Sequence, residues 1–232
     1  MRLKFVALIM AALVMAPSGL WAQNAMQEKM AQVKEGIQAN QAALKTYNYQ
    51  QHTKIYYKGE EKSQKNYSVV TGPDGKPQKT SLDPPAPPAE DSGRGGRVKK
   101  HVVEKKVGDM KEYMEKAQKL IEQYVPPDPQ KMQAAFSSGA AALAEAGPGM
   151  VKLTFSNYVV SGDSMIMVFN LESKKLSSLN VNSYLGNEKD AVRLVVTFAE
   201  LPGGTNYMAM TDLTATAKSI EVKSTNDNYQ KI

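Results

Sequence analysis

Residue types that carry catalysis or bind metals are scarce in this chain. The 232 residues include no Cys and two His, His52 and His101, which lack the spacing of a metal-binding pair on a helix. Gly162-Asp163-Ser164 sets a serine beside an acid, but a serine nucleophile needs a general base and no His follows His101. We therefore interpret this tripeptide as a hairpin turn, and we predict no catalytic residue, no metal site, no cofactor and no enzymatic activity.

The composition is that of a folded protein with a mild positive charge. Hydrophobic residues make up 42% and charged residues 22%, which is typical of globular domains and unlike disordered chains. The formal net charge is +6. This charge favours an anionic membrane surface or acidic partners over nucleic acid, although a solvated surface with a slight excess of Lys explains it equally well.

The N-terminus has the parts of an export signal. Two basic residues near the start precede an uninterrupted apolar run from Phe5 to Ala16. That run is shorter than the ~20 apolar residues of a membrane-spanning helix, and Ala22 is a small residue before a polar stretch. We predict a cleaved signal peptide at residues 1–22 and a periplasmic location for the mature protein.

Three segments have helical patterns. An apolar stripe at helical spacing marks residues 24–46, and a more regular stripe marks 103–125. Asp128-Pro129 supplies an N-cap followed by a proline, so we expect a third, Ala-rich helix through Ala146. Each of the first two helices must bury its stripe against another part of the protein.

Elsewhere the hydrophobic period changes to two, which is typical of half-buried strands. In residues 47–57, Tyr49 and Ile55 face one way, while His52 and Lys54 face the other. Two shorter strands follow at 66–71 and 76–82, with a Gly-Pro-Asp-Gly turn between them. Six further runs have strand character: 151–160, 164–170, 176–185, 191–199, 207–216 and 219–223. In two of these runs the alternation predicts that every second residue shares one face: Val192, Leu194, Val196 and Phe198 in the first, and Tyr207, Ala209, Thr211, Leu213 and Ala215 in the second.

Together these patterns predict an α+β fold. We expect a curved antiparallel sheet, an incomplete β-barrel, whose concave face is covered by the helices. Residues 23–232 form a single domain in this interpretation. It is interrupted by a Pro/Gly-rich linker at 83–97, which we expect to be extended and sensitive to proteases.

Four short stretches also support a family resemblance. They are Leu44-Lys45-Thr46-Tyr47 at the end of the first helix, Gly72-Pro73-Asp74-Gly75-Lys76 in an early hairpin, Leu201-Pro202-Gly203-Gly204-Thr205 before a late strand, and the ending from Ile220-Glu221-Val222 to Asn228-Tyr229-Gln230. With them the chain resembles the LolA/LolB-like periplasmic lipoprotein-binding fold. That resemblance implies an incomplete barrel and helices enclosing an apolar cavity for acyl chains. Through Tyr124–Phe136 the chain also resembles a group of uncharacterised exported bacterial proteins.

The leading functional hypothesis is a periplasmic binding protein for a lipid or a lipidated protein, held in an apolar cavity. The cavity would lie between the helix stripes and the sheet, and our candidates for lining it are Val33, Ile37, Met110, Met114 and Ile121. Pliable Met side chains suit variable acyl chains, but they also fill cores. The alternative is a non-enzymatic structural or interaction module of the envelope. The expected partners are an acyl chain or lipoprotein and an anionic membrane surface.

Overall fold

The computed structural model describes residues 18–84 and 97–232. Side chains are described from Gln27 in the first helix, apart from Met30, and from Gly108 in the second. The described residues form three α-helices, α1 (Ser18–Leu44), α2 (Arg97–Ile121) and α3 (Pro129–Ser137). The ten strands are β1 (Tyr47–Tyr57), β2 (Glu60–Thr71), β3 (Pro77–Ser81), β4 (Ala141–Gly147), β5 (Met150–Ser156), β6 (Ser164–Asn170), β7 (Lys175–Tyr184), β8 (Ala191–Glu200), β9 (Asn206–Ala215) and β10 (Ile220–Lys231).

All ten strands belong to one open antiparallel sheet, in the order β3-β2-β1-β10-β9-β8-β7-β6-β5-β4. Strands β4 to β10 follow one another as a meander, and β10 then pairs with β1. The N-terminal hairpins are thereby joined to the C-terminal meander. Because β3 and β4 lie at opposite edges and do not pair, the sheet is not closed into a barrel. The predicted antiparallel sheet is confirmed in this coarser form.

One face of the sheet carries the hydrophobic core, and we call it the inner face. Alternate residues of the meander are buried there, and helix residues such as Val33 and Leu120 belong to the same core. The largest fully buried side chains include Tyr124, Phe155 and Phe169. The inner-face core residues of β5 to β8 are Val151, Leu153, Phe155, Met165, Met167, Phe169, Leu176, Leu179, Val181, Val192, Leu194 and Val196.

The predicted turn at Gly162-Asp163-Ser164 is confirmed. Asp163 is 3% exposed, and its carboxylate accepts hydrogen bonds from the backbone N–H groups of Tyr158, Val159 and Val160. The hydroxyl of Tyr124, just after α2, donates to the same carboxylate. Asp163 therefore fixes the β5–β6 turn and ties it to the end of α2, which is a structural role.

The expected third helix is wrong beyond Ser137. The helix ends there, Gly139 has a φ of +77°, and Ala141–Gly147 forms β4. Leu143 pairs with Leu153 of β5, so cross-strand packing overrides the helical preference of the alanines. The other predicted elements are present, with β2 and β10 longer than expected.

The predicted alternation of β9 is also wrong at its start. The pairing of β9 with β8 shifts register between Thr197 and Phe198, which pair with Met210 and Met208 respectively. Met208 therefore packs against the core, whereas Met210 is 43% exposed. The bulge places the two methionines differently, although their spacing predicted a shared face.

Two predicted segments fall largely outside the described residues. Residues 1–17 of the predicted signal peptide are not described, and α1 already begins at Ser18. Residues 85–96 of the predicted linker are not described either. Within the described ranges, no helix combines the length and the apolar character needed to cross a membrane.

Candidate functional site

The candidate site is the part of the inner face formed by β1, β9 and β10. Ala215 and Ile220 at one end of this part are buried, but its other apolar side chains pack against the core while remaining half-buried, unlike those of β5 to β8. Ile55 pairs with Val222, which in turn pairs with Leu213, so these three side chains form one row across the strands. On α2, Met110 and Met114 are half-buried as well and pack against the same core.

A row of polar side chains crosses the same face beyond the apolar row. Thr53 and Ser224 share a hydrogen bond of 2.9 Å. One step further along β1, the Gln51 amide donates to Asn226 Oδ1 at 2.9 Å, and the Asn226 amide donates to the carbonyl of Met208 at 2.8 Å. Asn226 is 6% exposed, so these partners satisfy a buried amide.

Lys79 extends this polar row to β3. Lys79 pairs with Val69, and Val69 pairs with Tyr49, so all three lie on the inner face. The Lys79 Nζ donates to Gln51 Oε1 at 2.6 Å and lies 5.8 Å from the centroid of the Tyr67 ring. Burial lowers the pKa of Lys79, while the nearby carboxylate of Glu122 acts in the opposite direction.

Four tyrosines cluster where β1 and β9 begin and β10 ends. Tyr49 and Tyr229 stack with ring centroids 4.8 Å apart, and Tyr207 and Tyr47 lie 4.5 and 6.3 Å from Tyr229. Burial raises the pKa values of Tyr49 and Tyr229, so both hydroxyls remain protonated. The inner face thus passes from apolar residues through a polar row to an aromatic cluster.

The five predicted lining residues come together in one core. Val33 is fully buried and Ile37 is 7% exposed, whereas the other three are half-buried and pack against the same cluster. All five thus belong to, or pack against, the hydrophobic core, and their role in lining a cavity stays a prediction. The half-buried residues are Met110, Met114 and Ile121.

Surface clefts border the helices. One, of about 510 Å³, lies between α2 and the β7–β8 turn and is lined by residues including Tyr113 and Leu185. Another, of about 380 Å³, lies between α1 and the β6–β7 and β8–β9 turns, and one of about 450 Å³ lies between α1 and the β4–β5 turn. None of these clefts is lined by any of the five predicted residues. We therefore place the candidate site on the inner face of the sheet.

The sequence interpretation missed Gln51, Lys79 and Asn226. A signal for Gln51 was present, because an amide at an odd position of β1 interrupts a series that otherwise includes Tyr49 and Ile55. No comparable signal marked Asn226, since the predicted last strand ended before it. The strand order that brings β3, β1, β10 and β9 side by side is not encoded in any local pattern.

Comparisons of the chain with family models, curated proteins and solved structures found no match. The resemblance to the LolA/LolB-like fold therefore stays a prediction, and the function is argued from the residues themselves.

Proposed function

We propose that this protein binds the acyl chain of a lipid or lipidated protein between α2 and the inner face of β1, β9 and β10. The observation that carries the proposal is a set of apolar side chains on the sheet and on α2 that pack against one core yet remain half-buried. Ile55, Leu213 and Val222 supply the sheet side, and Met110 and Met114 supply the helix side.

The location of this half-buried region is unusual for a sheet. Strands β8 and β9 are the central pair of ten, and β10 is next to them. Burial on one face of a covered sheet normally peaks near its centre, yet the fully buried residues here cluster on β5 to β8. Apolar side chains left half-exposed on a central surface are typical of a ligand-binding groove.

The contacts of the chain just after α2 support a curved sheet whose concave side faces the helices. Tyr124 binds Asp163 in the β5–β6 turn, and Glu122 acts electrostatically on Lys79 in β3. Strands β3 and β5 lie near opposite ends of the strand order. Because Tyr124 reaches the β5–β6 turn while Glu122 acts on Lys79, we infer that the sheet curls around this segment, as an incomplete barrel does.

The test is a titration of the purified protein with a fluorescent fatty acid, using Val222→Phe as the blocking variant. Val222 points into the proposed groove, so the larger ring should occupy space that the acyl chain needs. We expect the parent to bind the probe and Val222→Phe to bind it at least tenfold more weakly, with an unchanged unfolding midpoint.

The matched control is Val195→Phe on the opposite face of β8, where Val195 pairs with Asp212. It makes the same change in side-chain volume outside the groove, so binding should not change. The proposal is wrong if the parent binds no probe. It is also wrong if Val222→Phe lowers the stability by about 1–3 kcal/mol and leaves binding intact, because that result indicates a packed core.

The alternative, an interaction module of the envelope, is supported by the edge strand β4. In the described part of the chain β4 pairs with β5 alone, and its residues from Ala141 to Gly147 include one charge, Glu145. An edge with so few charges is open to pairing with a strand of another protein. This alternative replaces the binding proposal if the parent binds no acyl probe.

A further inference from the structure

The polar row on the inner face ends in a cation. Lys79 lies on the edge strand β3, but its side chain does not point away from the sheet. It crosses β2 above the Tyr67 ring and donates to Gln51 on β1. The ammonium group is therefore held over the inner face, next to the proposed acyl groove.

The position of Gln51 explains how the ammonium is held. The Gln51 amide N–H donates to Asn226, so the Oε1 atom of Gln51 is directed at Lys79. Asn226 in turn donates to the carbonyl of Met208. This chain of hydrogen bonds spans β3, β1, β10 and β9, so the Lys79 ammonium has a fixed place on a rigid sheet.

The electrostatics of Lys79 favour an anion. The residue is accessible to solvent, yet protein atoms surround its ammonium group closely enough for burial to lower its pKa. This combination is typical of a side chain inside an open groove. Its hydrogen-bond acceptor is a neutral amide, and Glu122 offsets only part of the desolvation. A ligand carboxylate at hydrogen-bond distance would compensate this partly desolvated charge more completely.

We propose that the ligand is an acyl chain with an anionic head group, namely a fatty acid whose carboxylate accepts a hydrogen bond from the Lys79 ammonium. The proposal rests on the acyl-binding function above and specifies its substrate class. Along β1, Ile55 lies four residues beyond Gln51, or about 13 Å in an extended strand. The hydrocarbon tail of a carboxylate bound at Lys79 can therefore reach the apolar row formed by Ile55, Leu213 and Val222.

The experiment compares a long-chain fatty acid with the alcohol of the same chain length, each displacing one neutral fluorescent acyl probe. The parent should bind the acid about tenfold more tightly than the alcohol, since only the acid makes a charge-assisted hydrogen bond. Lys79→Gln should remove this preference by lowering the affinity for the acid while leaving that for the alcohol unchanged. Lys79→Arg should retain most of the preference. Lys62→Gln, which removes an exposed lysine of β2, should behave as the parent does.

Two results overturn the inference while leaving acyl binding intact. The first is equal affinity of the parent for the acid and the alcohol, and the second is an unchanged preference in Lys79→Gln. If the parent binds neither compound, the proposed function itself fails. If Lys79→Gln does not fold, the role of Lys79 is tested instead by measuring the preference of the parent for the acid at increasing ionic strength. A preference for the acid that does not fall as the ionic strength rises contradicts the role of Lys79.

Discussion

Asn40 of α1 and Asn206 of β9 exchange two hydrogen bonds across 166 residues of sequence. The Asn40 amide donates to the carbonyl of Asn206 at 2.7 Å, and the backbone N–H of Asn206 donates to Asn40 Oδ1 at 2.7 Å. The Asn206 side chain, in turn, donates to the carbonyl of Leu176 at 2.6 Å. These bonds fix α1 to the start of β9 and β7, which is the end of the sheet where the aromatic cluster lies.

We expect Asn40→Ala to destabilise the protein by about 1–3 kcal/mol. The substitution leaves the N–H and C=O groups of Asn206 without their partner, and that loss exceeds the few tenths of a kcal/mol that alanine gains in helix propensity. Urea denaturation followed by circular dichroism measures the change. Gln38→Ala, at an exposed position of α1, is the control and should alter stability by less than about 0.5 kcal/mol. Equal effects of the two substitutions would contradict the role of this hydrogen-bonded pair.

Gly36 of α1 lies where the helix approaches the β6–β7 turn most closely. A Cβ atom at this position would lie 2.5 Å from the Lys174 carbonyl oxygen and 2.8 Å from Phe169 Cζ. Gly108 in α2 is the opposite case, because no atom of the described residues lies within 4 Å of the Cβ that it lacks. The two glycines share helical geometry and differ in their surroundings.

The same substitution should therefore have opposite effects at these two sites. Gly36→Ala should destabilise the protein by about 1–3 kcal/mol, since the backbone of the turn must move to admit the methyl group. Gly108→Ala should stabilise it by about 0.5–1 kcal/mol through helix propensity. Thermal and urea unfolding of both variants measure the difference. Stabilisation by Gly36→Ala would show that α1 does not pack against the turn as described.

Gly36 and Asn40 of α1 show which features of the fold can be predicted from the sequence alone and which cannot. The apolar stripe that includes Val33 and Ile37 correctly predicted a helix that buries one side. From sequence alone, Gly36 and Asn40 are residues that weaken a helix. In the structure each makes a contact with a distant turn or strand, and no local pattern encodes such contacts.

The strands show the same division between local and distant information. Alternation along β8 predicted correctly that Val192, Leu194 and Val196 face the core, because the face of each residue follows from the sequence of that strand alone. The bulge in β9 arises from pairing with β8, so its effect on Met208 was not predictable from β9 itself. The candidate site was predicted only as an apolar space beneath the helices. Its polar row depends on β10 lying between β1 and β9.

Asp212, on the outer face of β9, is a poorly compensated carboxylate. Its Oδ1 atom is buried and has no hydrogen-bond partner among the described residues. Lys223 lies 3.8 Å from Asp212 but only 2.9 Å from Glu221, which therefore takes the larger share of the positive charge. Burial raises the pKa of Asp212 above its usual value of 3.8, and the neighbouring Glu221 raises it further.

A raised pKa means that the folded protein binds a proton at Asp212 more tightly than the unfolded chain does. The stabilisation from that proton is complete below the unfolded pKa of 3.8 and is lost as the pH rises through the folded pKa. Asp212→Asn removes the carboxylate, which is poorly compensated once it is ionised. We therefore expect the change in the free energy of unfolding to be more favourable at pH 7 than at pH 3. Urea unfolding at both values measures this difference.

Asp83 provides a control of opposite sign for this prediction. It accepts hydrogen bonds from the backbone and side-chain amides of Asn66, and those bonds lower its pKa. A lowered pKa contributes stability that is present above the unfolded value of 3.8 and lost as the pH falls through the folded pKa. Asp83→Asn should therefore destabilise the protein at pH 7 and have less effect at pH 3. If both variants change stability in the same direction between pH 3 and pH 7, the environment of Asp212 is not the one described, because the two carboxylates would then titrate alike.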